Sequence, residues 1–114
     1  MVSPLPEPSN PEIRMITGNA LVEIPKLDEI FDMVFIDGDK REYCDYFRAV
    51  KDKVSRGGFI IADNVLWGGK ALDQHTRDHQ SLGIIEFNRM IKSEPGIENL
   101  ILPVRDGIMI IRKL

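Results

Sequence analysis

Two short apolar runs that each stop on acidic or amide side chains constrain the fold of this chain most. The first run is Met33 to Asp37, and the second is Phe59 to Asp63, followed by Asn64. Both are too short for an ordinary helix and contain β-branched residues, so we predict two buried strands. Between them, Arg41 to Val54 predicts a helix with a core-facing stripe of Tyr43, Phe47, Val50 and Val54. A strand, a helix and a second strand in this order predict a right-handed parallel crossover.

The rest of the chain adds short elements bounded by Gly, Pro or Asn. The Asp106-Gly107 pair between two apolar runs is a strong hairpin signal. We therefore expect an α/β fold whose mostly parallel sheet ends in an antiparallel hairpin. The further predicted elements are a strand at Glu12 to Thr17, a turn at Gly18-Asn19, a helix at Ala20 to Leu27, a helix at Leu82 to Lys92, and hairpin strands at Ile97 to Val104 and Gly107 to Arg112.

Composition excludes several classes of protein. The chain has 114 residues, of which 43% are hydrophobic, so it is one small domain or part of a larger one. A formal net charge of -3 without a basic run argues against nucleic-acid binding. Without an apolar stretch of transmembrane length or a secretory signal, we expect no membrane partner. A single cysteine, Cys44, suits the cytoplasm. Residues 1–11 contain four prolines and are expected to form a flexible arm before the domain at 12–114.

The polar residues that end the two strands are candidate metal ligands. In an open α/β sheet, ligands bind at the carboxyl ends of the strands, where Asp37, Asp63 and Asn64 are predicted to lie. Their oxygens suit Mg²⁺, Mn²⁺ or Ca²⁺, and Lys40 brings an amine to the same rim. The alternative interpretation is local, since Asp39 can cap the following helix and an Asp-Asn pair readily forms a turn.

The segment from Trp67 to Gln80 is polar and rich in glycine, and its length predicts a substrate loop. It contains His75, and His79 follows at a spacing that would suit one helical face. A zinc site would need a third ligand, which the sequence does not offer nearby, so a solvated segment is favoured. Trp67 could either wall a flat substrate or anchor the loop on the sheet.

Four segments together closely resemble the metal-dependent O-methyltransferases, which use S-adenosylmethionine and include the catechol and caffeoyl-CoA enzymes. These segments are Phe31 to Lys40, Gly57 to Gly69, Glu86 to Asn88 and Leu102 to Lys113. The resemblance implies a Rossmann-like sheet and methyl transfer to a small aromatic hydroxyl. It also implies a divalent cation, with Mg²⁺ first and Mn²⁺ or Ca²⁺ as alternatives, held by Asp37, Asp63 and Asn64. Lys40 matches the general base of that family.

The cofactor site is only partly represented. Gly18, Asn19 and Ala20 resemble the turn that packs beside the adenine of S-adenosylmethionine. The resemblance also places Asp37 in the cofactor-binding site. The family also has two earlier strands, one followed by a Gly-rich turn and one ending in an acid, and this sequence contains neither. We therefore interpret the chain as the carboxyl-terminal half of such an enzyme. Its partner is expected to be a second copy or a polypeptide that supplies the missing strands.

Two other functions stay open at this point. The chain could be a non-catalytic remnant or interaction module that keeps the metal-binding half. It could also be a Mg²⁺-dependent phosphoryl-transfer enzyme that uses Asp37 and Asp39, although Arg41 stands where that class usually has Thr or Val. Titration with S-adenosylmethionine separates the first alternative from the methyltransferase, and a trapped phosphoenzyme would support the second.

Overall fold

The computed structural model describes residues 13–66 and 78–114, and all structural statements below concern these ranges. A 3₁₀ turn follows α1, and a second 3₁₀ turn at Lys40–Glu42 leads into α2. The elements in chain order are α1 (Ala20–Glu23), β1 (Phe31–Ile36), α2 (Tyr43–Lys51), β2 (Val54–Asp63), α3 (His79–Ser93), β3 (Ile97–Leu102) and β4 (Ile108–Lys113).

The four strands form a mixed sheet in the order β1-β2-β4-β3. β1 and β2 are parallel, whereas β4 runs antiparallel to both β2 and β3. The predicted parallel pairing of the two strands and the closing hairpin are therefore both confirmed, whereas the right-handed sense of the crossover stays a prediction. At the hairpin turn, Arg105 and Gly107 have φ angles of 53° and 87°, a left-handed conformation that favours glycine.

One face of the sheet carries the core. The helices α2 and α3 pack against this face, and Tyr43, Phe47 and Val50 of the predicted stripe are buried on α2. The predicted helix is too long at its end, because α2 ends at Lys51 and Val54, which is also buried, begins β2. Gly83 lets α3 pack closely against the backbone of the 3₁₀ turn at Lys40–Glu42, because a Cβ on Gly83 would lie 2.4 Å from the carbonyl oxygen of Lys40. The buried residues contributed by the strands to this face are Val34, Ile36, Ile60, Ala62, Met109 and Ile111.

The predicted strand at Glu12 to Thr17 is wrong for the part that is described, because residues 13–17 form no regular element. Glu12 lies outside the described residues. Ile13, Met15 and Ile16 are all exposed. An extended segment needs a neighbouring strand to satisfy its backbone groups, and no described strand lies beside this one.

The second strand begins five residues earlier than predicted, at Val54 rather than Phe59. The pairing of Phe31 with Val54 shifts to a pairing of Met33 with Phe59, so β2 bulges between these two positions. Gly57 has a φ of 81°, and a Cβ on Gly58 would lie 2.8 Å from the carbonyl oxygen of Asp32. Both glycines thus lie within an irregular part of β2.

Several predictions concern residues outside the described ranges, namely the flexible arm, Trp67, His75 and most of the substrate loop. Cys44 is buried on α2, and His79 is the exposed first residue of α3. Within residues 13–66 and 78–114, no helix is long and apolar enough to cross a membrane.

Candidate functional site

The site is built at the carboxyl ends of the parallel strands β1 and β2. Ile36 pairs with Ala62, so Asp37 and Asp63 follow neighbouring strands at the same edge of the sheet. Asn64 has a φ of 58°, a left-handed conformation that Asn tolerates better than most residues. Its backbone N–H donates to Asp63 Oδ1 over 2.9 Å. The Asp63-Asn64 pair therefore ends β2 in a left-handed, locally hydrogen-bonded conformation, and its role in metal ligation stays a prediction.

Lys40 brings a buried amine to this edge, since its side chain is only 3% exposed. Its Nζ lies 3.6 Å from Asp37 Oδ1 and donates to the Tyr43 hydroxyl over 2.5 Å. Burial lowers the pKa of the Lys40 amine below its ordinary value, and the Asp37 and Asp63 carboxylates oppose that shift in part. Lys40, Asp37 and Asp63, which the sequence grouped together, thus form one electrostatic cluster.

Tyr43 connects the amine to the second strand end. Its fully buried hydroxyl donates to the backbone carbonyl of Asp63 over 2.8 Å while accepting from Lys40. Its ring packs edge-on against Phe87, with 5.4 Å between the ring centroids. Burial raises the pKa of Tyr43, so the group stays a neutral hydroxyl. The helical periodicity correctly placed Tyr43 in the core, but it carries no signal for these polar contacts.

The backbone of Lys40 is fixed by α3. Gln80 Oε1 accepts a hydrogen bond from the Lys40 N–H over 3.0 Å, and Gln80 Nε2 donates to Asp39 Oδ1 over 2.9 Å. Asp39 also accepts from the Arg41 backbone N–H, which confirms its predicted capping role. Hydrogen bonds from Arg41 hold the pKa of the Asp39 carboxyl well below its usual range. Gln80 was missed because a contact between residues 40 positions apart leaves no trace in one sequence.

The predicted cofactor turn lies before α1. Asn19 caps this helix by accepting a hydrogen bond from the Leu21 N–H over 3.0 Å, and Gly18 has a φ of 141°. Beside the turn is a small hollow, which is lined by Ile16, Gly18, Ala20, Glu23, Ile24 and Leu27. These contacts are local, so the role of Gly18, Asn19 and Ala20 in cofactor binding stays a prediction.

The donors at the strand ends fit a hard divalent cation. Asp37 and Asp63 offer carboxylates, and Asn64 offers an amide oxygen. Among the described residues there is no group of three His, Cys, Asp or Glu side chains that could hold a metal ion. A cation bound at this edge would therefore need the Asn64 amide, a backbone carbonyl or water in addition to the two carboxylates.

Removing the Tyr43 hydroxyl is expected to destabilise the fold. Tyr43→Phe keeps the ring contact with Phe87 but leaves the half-buried Asp63 carbonyl without this donor, which costs about 0.5–1.5 kcal/mol of unfolding free energy. Tyr46→Phe is the matched control, because that hydroxyl donates to the Glu42 carboxylate near the surface. Urea unfolding followed by circular dichroism measures both, and equal losses would contradict a special role for Tyr43.

Comparisons with known proteins agree with this architecture. A model of the O-methyltransferase family matches residues 8–114. A caffeoyl-CoA O-methyltransferase of Nicotiana tabacum is 34% identical over 101 residues, which cover 82% of this chain and 42% of the relative. The chain thus spans less than half the length of that relative.

Solved structures share the fold as well. The Bacillus cereus O-methyltransferase in complex with SAH is 30% identical, with a TM-score of 0.76 over 83% of this chain and 46% of that one. The Streptomyces achromogenes O-methyltransferase TomG in complex with SAM is 27% identical, with a TM-score of 0.79 over 84% of this chain and 47% of that one. The matched half of each structure therefore has the topology described above.

Proposed function

Because the chain belongs to the O-methyltransferase family, we propose that it carries the cation-binding and proton-accepting half of an S-adenosylmethionine-dependent enzyme. The substrate we propose is a small aromatic hydroxyl of the catechol type. One observation carries this proposal: the buried Lys40 amine lies 3.6 Å from the Asp37 carboxylate, beside the end of the neighbouring strand. The caffeoyl-CoA relatives and the SAM complex of TomG support the same chemistry.

The three strand-end residues have one proposed task. Asp37, Asp63 and Asn64 would hold a divalent cation, with Mg²⁺ proposed first, and Asp37 would also face the cofactor. When bound, such a cation favours the ionised form of an aromatic hydroxyl and fixes its position. The Asp63-Asn64 pair contributes rigidity, because the Asp63 carboxylate accepts a hydrogen bond from the Asn64 N–H and the Asp63 backbone carbonyl accepts one from the Tyr43 hydroxyl.

Lys40 would accept the proton of the aromatic hydroxyl at Nζ. A lysine serves as a base only when it is neutral, and burial of Lys40 shifts its pKa in that direction. Tyr43 and Gln80 hold the two ends of this residue, so the amine is positioned before a substrate arrives. A buried amine also suits a site that excludes water. Attack of the ionised hydroxyl on the sulfonium of S-adenosylmethionine would remove two opposite charges, and excluding water favours that loss.

Two finer parts of the proposal concern the cofactor and the compartment. Gly18, Asn19 and Ala20 are proposed to pack beside the adenine, next to the hollow that Gly18 and Ala20 help to line. A cytoplasmic location is proposed because Cys44 is the single cysteine of the sequence and is buried.

Titration with S-adenosylmethionine tests the proposal directly. We expect calorimetry to detect binding of the cofactor in the micromolar range, strengthened by Mg²⁺ and an aromatic diol. A chain that folds and binds the cation but ignores the cofactor would support the alternative, a non-catalytic remnant. A chain that binds neither would overturn the proposed function.

A further inference from the structure

The segment that ends β2 and follows it contains two of the proposed cation ligands, Asp63 and Asn64. We call residues 63–66 the β2 exit. Asn64 has a φ of 58°, a left-handed conformation that is uncommon for residues other than glycine. A residue keeps such a conformation only where the surrounding contacts determine it. The contacts of the β2 exit therefore decide how the Asn64 side chain is presented.

Val65 is held by two other parts of the fold. Its carbonyl accepts a hydrogen bond from Asn88 Nδ2, on α3, over 3.0 Å. Its N–H donates to the carbonyl of Gly107 in the hairpin turn over 3.2 Å. The Leu66 N–H, which belongs to the same peptide group as the Val65 carbonyl, donates to the Asp106 carbonyl over 2.6 Å. Because this peptide group is bonded at both ends, α3 and the hairpin turn together fix its orientation.

The chain is also held on the other side of Asn64. The Tyr43 hydroxyl, on α2, donates to the Asp63 carbonyl over 2.8 Å, and the Asn64 N–H donates to Asp63 Oδ1 over 2.9 Å. Asn64 thus lies between backbone groups that are fixed by α2 and by α3. Tyr43 also accepts a hydrogen bond from the Lys40 amine, so removing its hydroxyl disturbs two groups. Removing the Asn88 amide is the cleaner way to loosen the β2 exit.

The packing of α3 does not account for an amide at this position. Asn88 lies four residues after Ile84 and three residues before Ile91, so it shares the core-facing side of α3 with these two buried residues. Leucine has a similar shape and favours a helix more than asparagine does. Asn88 Oδ1 is buried and has no hydrogen-bond partner among the described residues, which lowers stability. The contact with Val65 is therefore what the amide provides.

We propose that Asn88 is a positioning residue for the cation ligands. Its bond to the Val65 carbonyl holds the β2 exit in the conformation that presents Asp63 and Asn64 to one ion. This role rests on the proposed function, which assigns both residues to a divalent cation. Asn88 acts through the backbone and supplies no ligand. Loss of a group that orients metal ligands in this way typically weakens metal binding by about 10–100-fold.

Asn88→Leu tests this role, because leucine keeps the branched shape and the neutral charge of the side chain but cannot donate a hydrogen bond. Lys113→Met is the matched control, since the Lys113 amine donates to the Val54 carbonyl at the opposite end of β2 over 2.9 Å. Without any metal, we expect the Leu66 amide to exchange its hydrogen about 2–10-fold faster in Asn88→Leu than in the wild-type chain. Exchange at Leu66 should be unchanged in Lys113→Met. Nuclear magnetic resonance measures these rates residue by residue.

The affinity for Mn²⁺ separates positioning from a merely structural role. Electron paramagnetic resonance of the free ion is expected to show binding weakened by about 10–100-fold in Asn88→Leu and unchanged in Lys113→Met. Urea unfolding of the same samples reports whether the fold persists. A merely structural role would lower the unfolding midpoint but leave the affinity of the folded molecules as it is in the wild-type chain.

Wild-type Mn²⁺ affinity in Asn88→Leu, or unchanged exchange at Leu66, would overturn the inference and leave the proposed function intact. A wild-type chain that binds no Mn²⁺ would instead remove the proposed cation site, and the positioning role would fall with it. If Asn88→Leu does not fold, Asn88→Ala takes its place in the same measurements. Failure of both variants to fold would assign Asn88 to the stability of α3 and overturn the inference.

Discussion

Lys40→Met is expected to slow methyl transfer by about 10²–10⁴-fold, the usual contribution of a positioned general base. Methionine fills the space of the buried lysine stem but cannot accept a proton. The effect should fall on kcat, while the affinity for S-adenosylmethionine is retained. The measurement is transfer of a radiolabelled methyl group to a catechol or to caffeoyl-CoA.

The pH profile distinguishes loss of the base from general damage. Below its pKa the Lys40 amine is protonated and cannot act, so the wild-type rate should rise with pH and level off above that pKa. Because burial lowers this pKa, the rise should lie below the range of an ordinary lysine. Lys51→Met is the matched control, since the Lys51 amine pairs with Glu94 at the far end of α2. A Lys40→Met variant with the wild-type rate and profile would remove Lys40 from the mechanism.

Asp37→Asn is expected to weaken binding of a divalent cation by at least about tenfold, or ~1.4 kcal/mol. The substitution keeps the shape of the side chain but removes one of the two carboxylate charges proposed to hold the ion. Titration of Mn²⁺, followed by electron paramagnetic resonance of the free ion, measures the affinity without any need for activity.

Asp39→Asn is a close control for this experiment. Asp39 lies two positions along the chain, but its carboxylate is engaged by Arg41 and Gln80. Asparagine retains the ability to cap a helix, so the local structure should persist. Cation affinity should be unchanged in this variant. Equal losses in both variants would mean that Asp37 has no specific role in binding the ion.

The parts of the fold that depend on local pattern could be predicted from the sequence. The apolar runs at Met33 and Phe59 gave the two parallel strands, and Asp106-Gly107 gave the hairpin. The strand-end position of Asp37 and Asp63 followed from the same reasoning, because parallel neighbours end at the same edge. Local chemistry also correctly identified Asp39 as a helix cap.

The features that sequence reasoning missed depend on contacts between distant segments. Gln80 reaches the backbone of Lys40 from α3, and the Tyr43 hydroxyl reaches the carbonyl of Asp63, 20 positions along the chain. The prediction of a strand at Glu12 to Thr17 was wrong for a related reason. A single extended segment has the required pattern, but only a neighbouring strand can stabilise it.

The attachment of Lys40 at both ends has a thermodynamic consequence. A free lysine side chain samples many rotamers, and ordering it costs about 1.5–2 kcal/mol. Here Gln80 and Tyr43 restrict the residue while the chain folds. That entropic cost belongs to folding, so under the proposed function it would not recur at each turnover, and acceptors of different shape would all meet the same fixed amine.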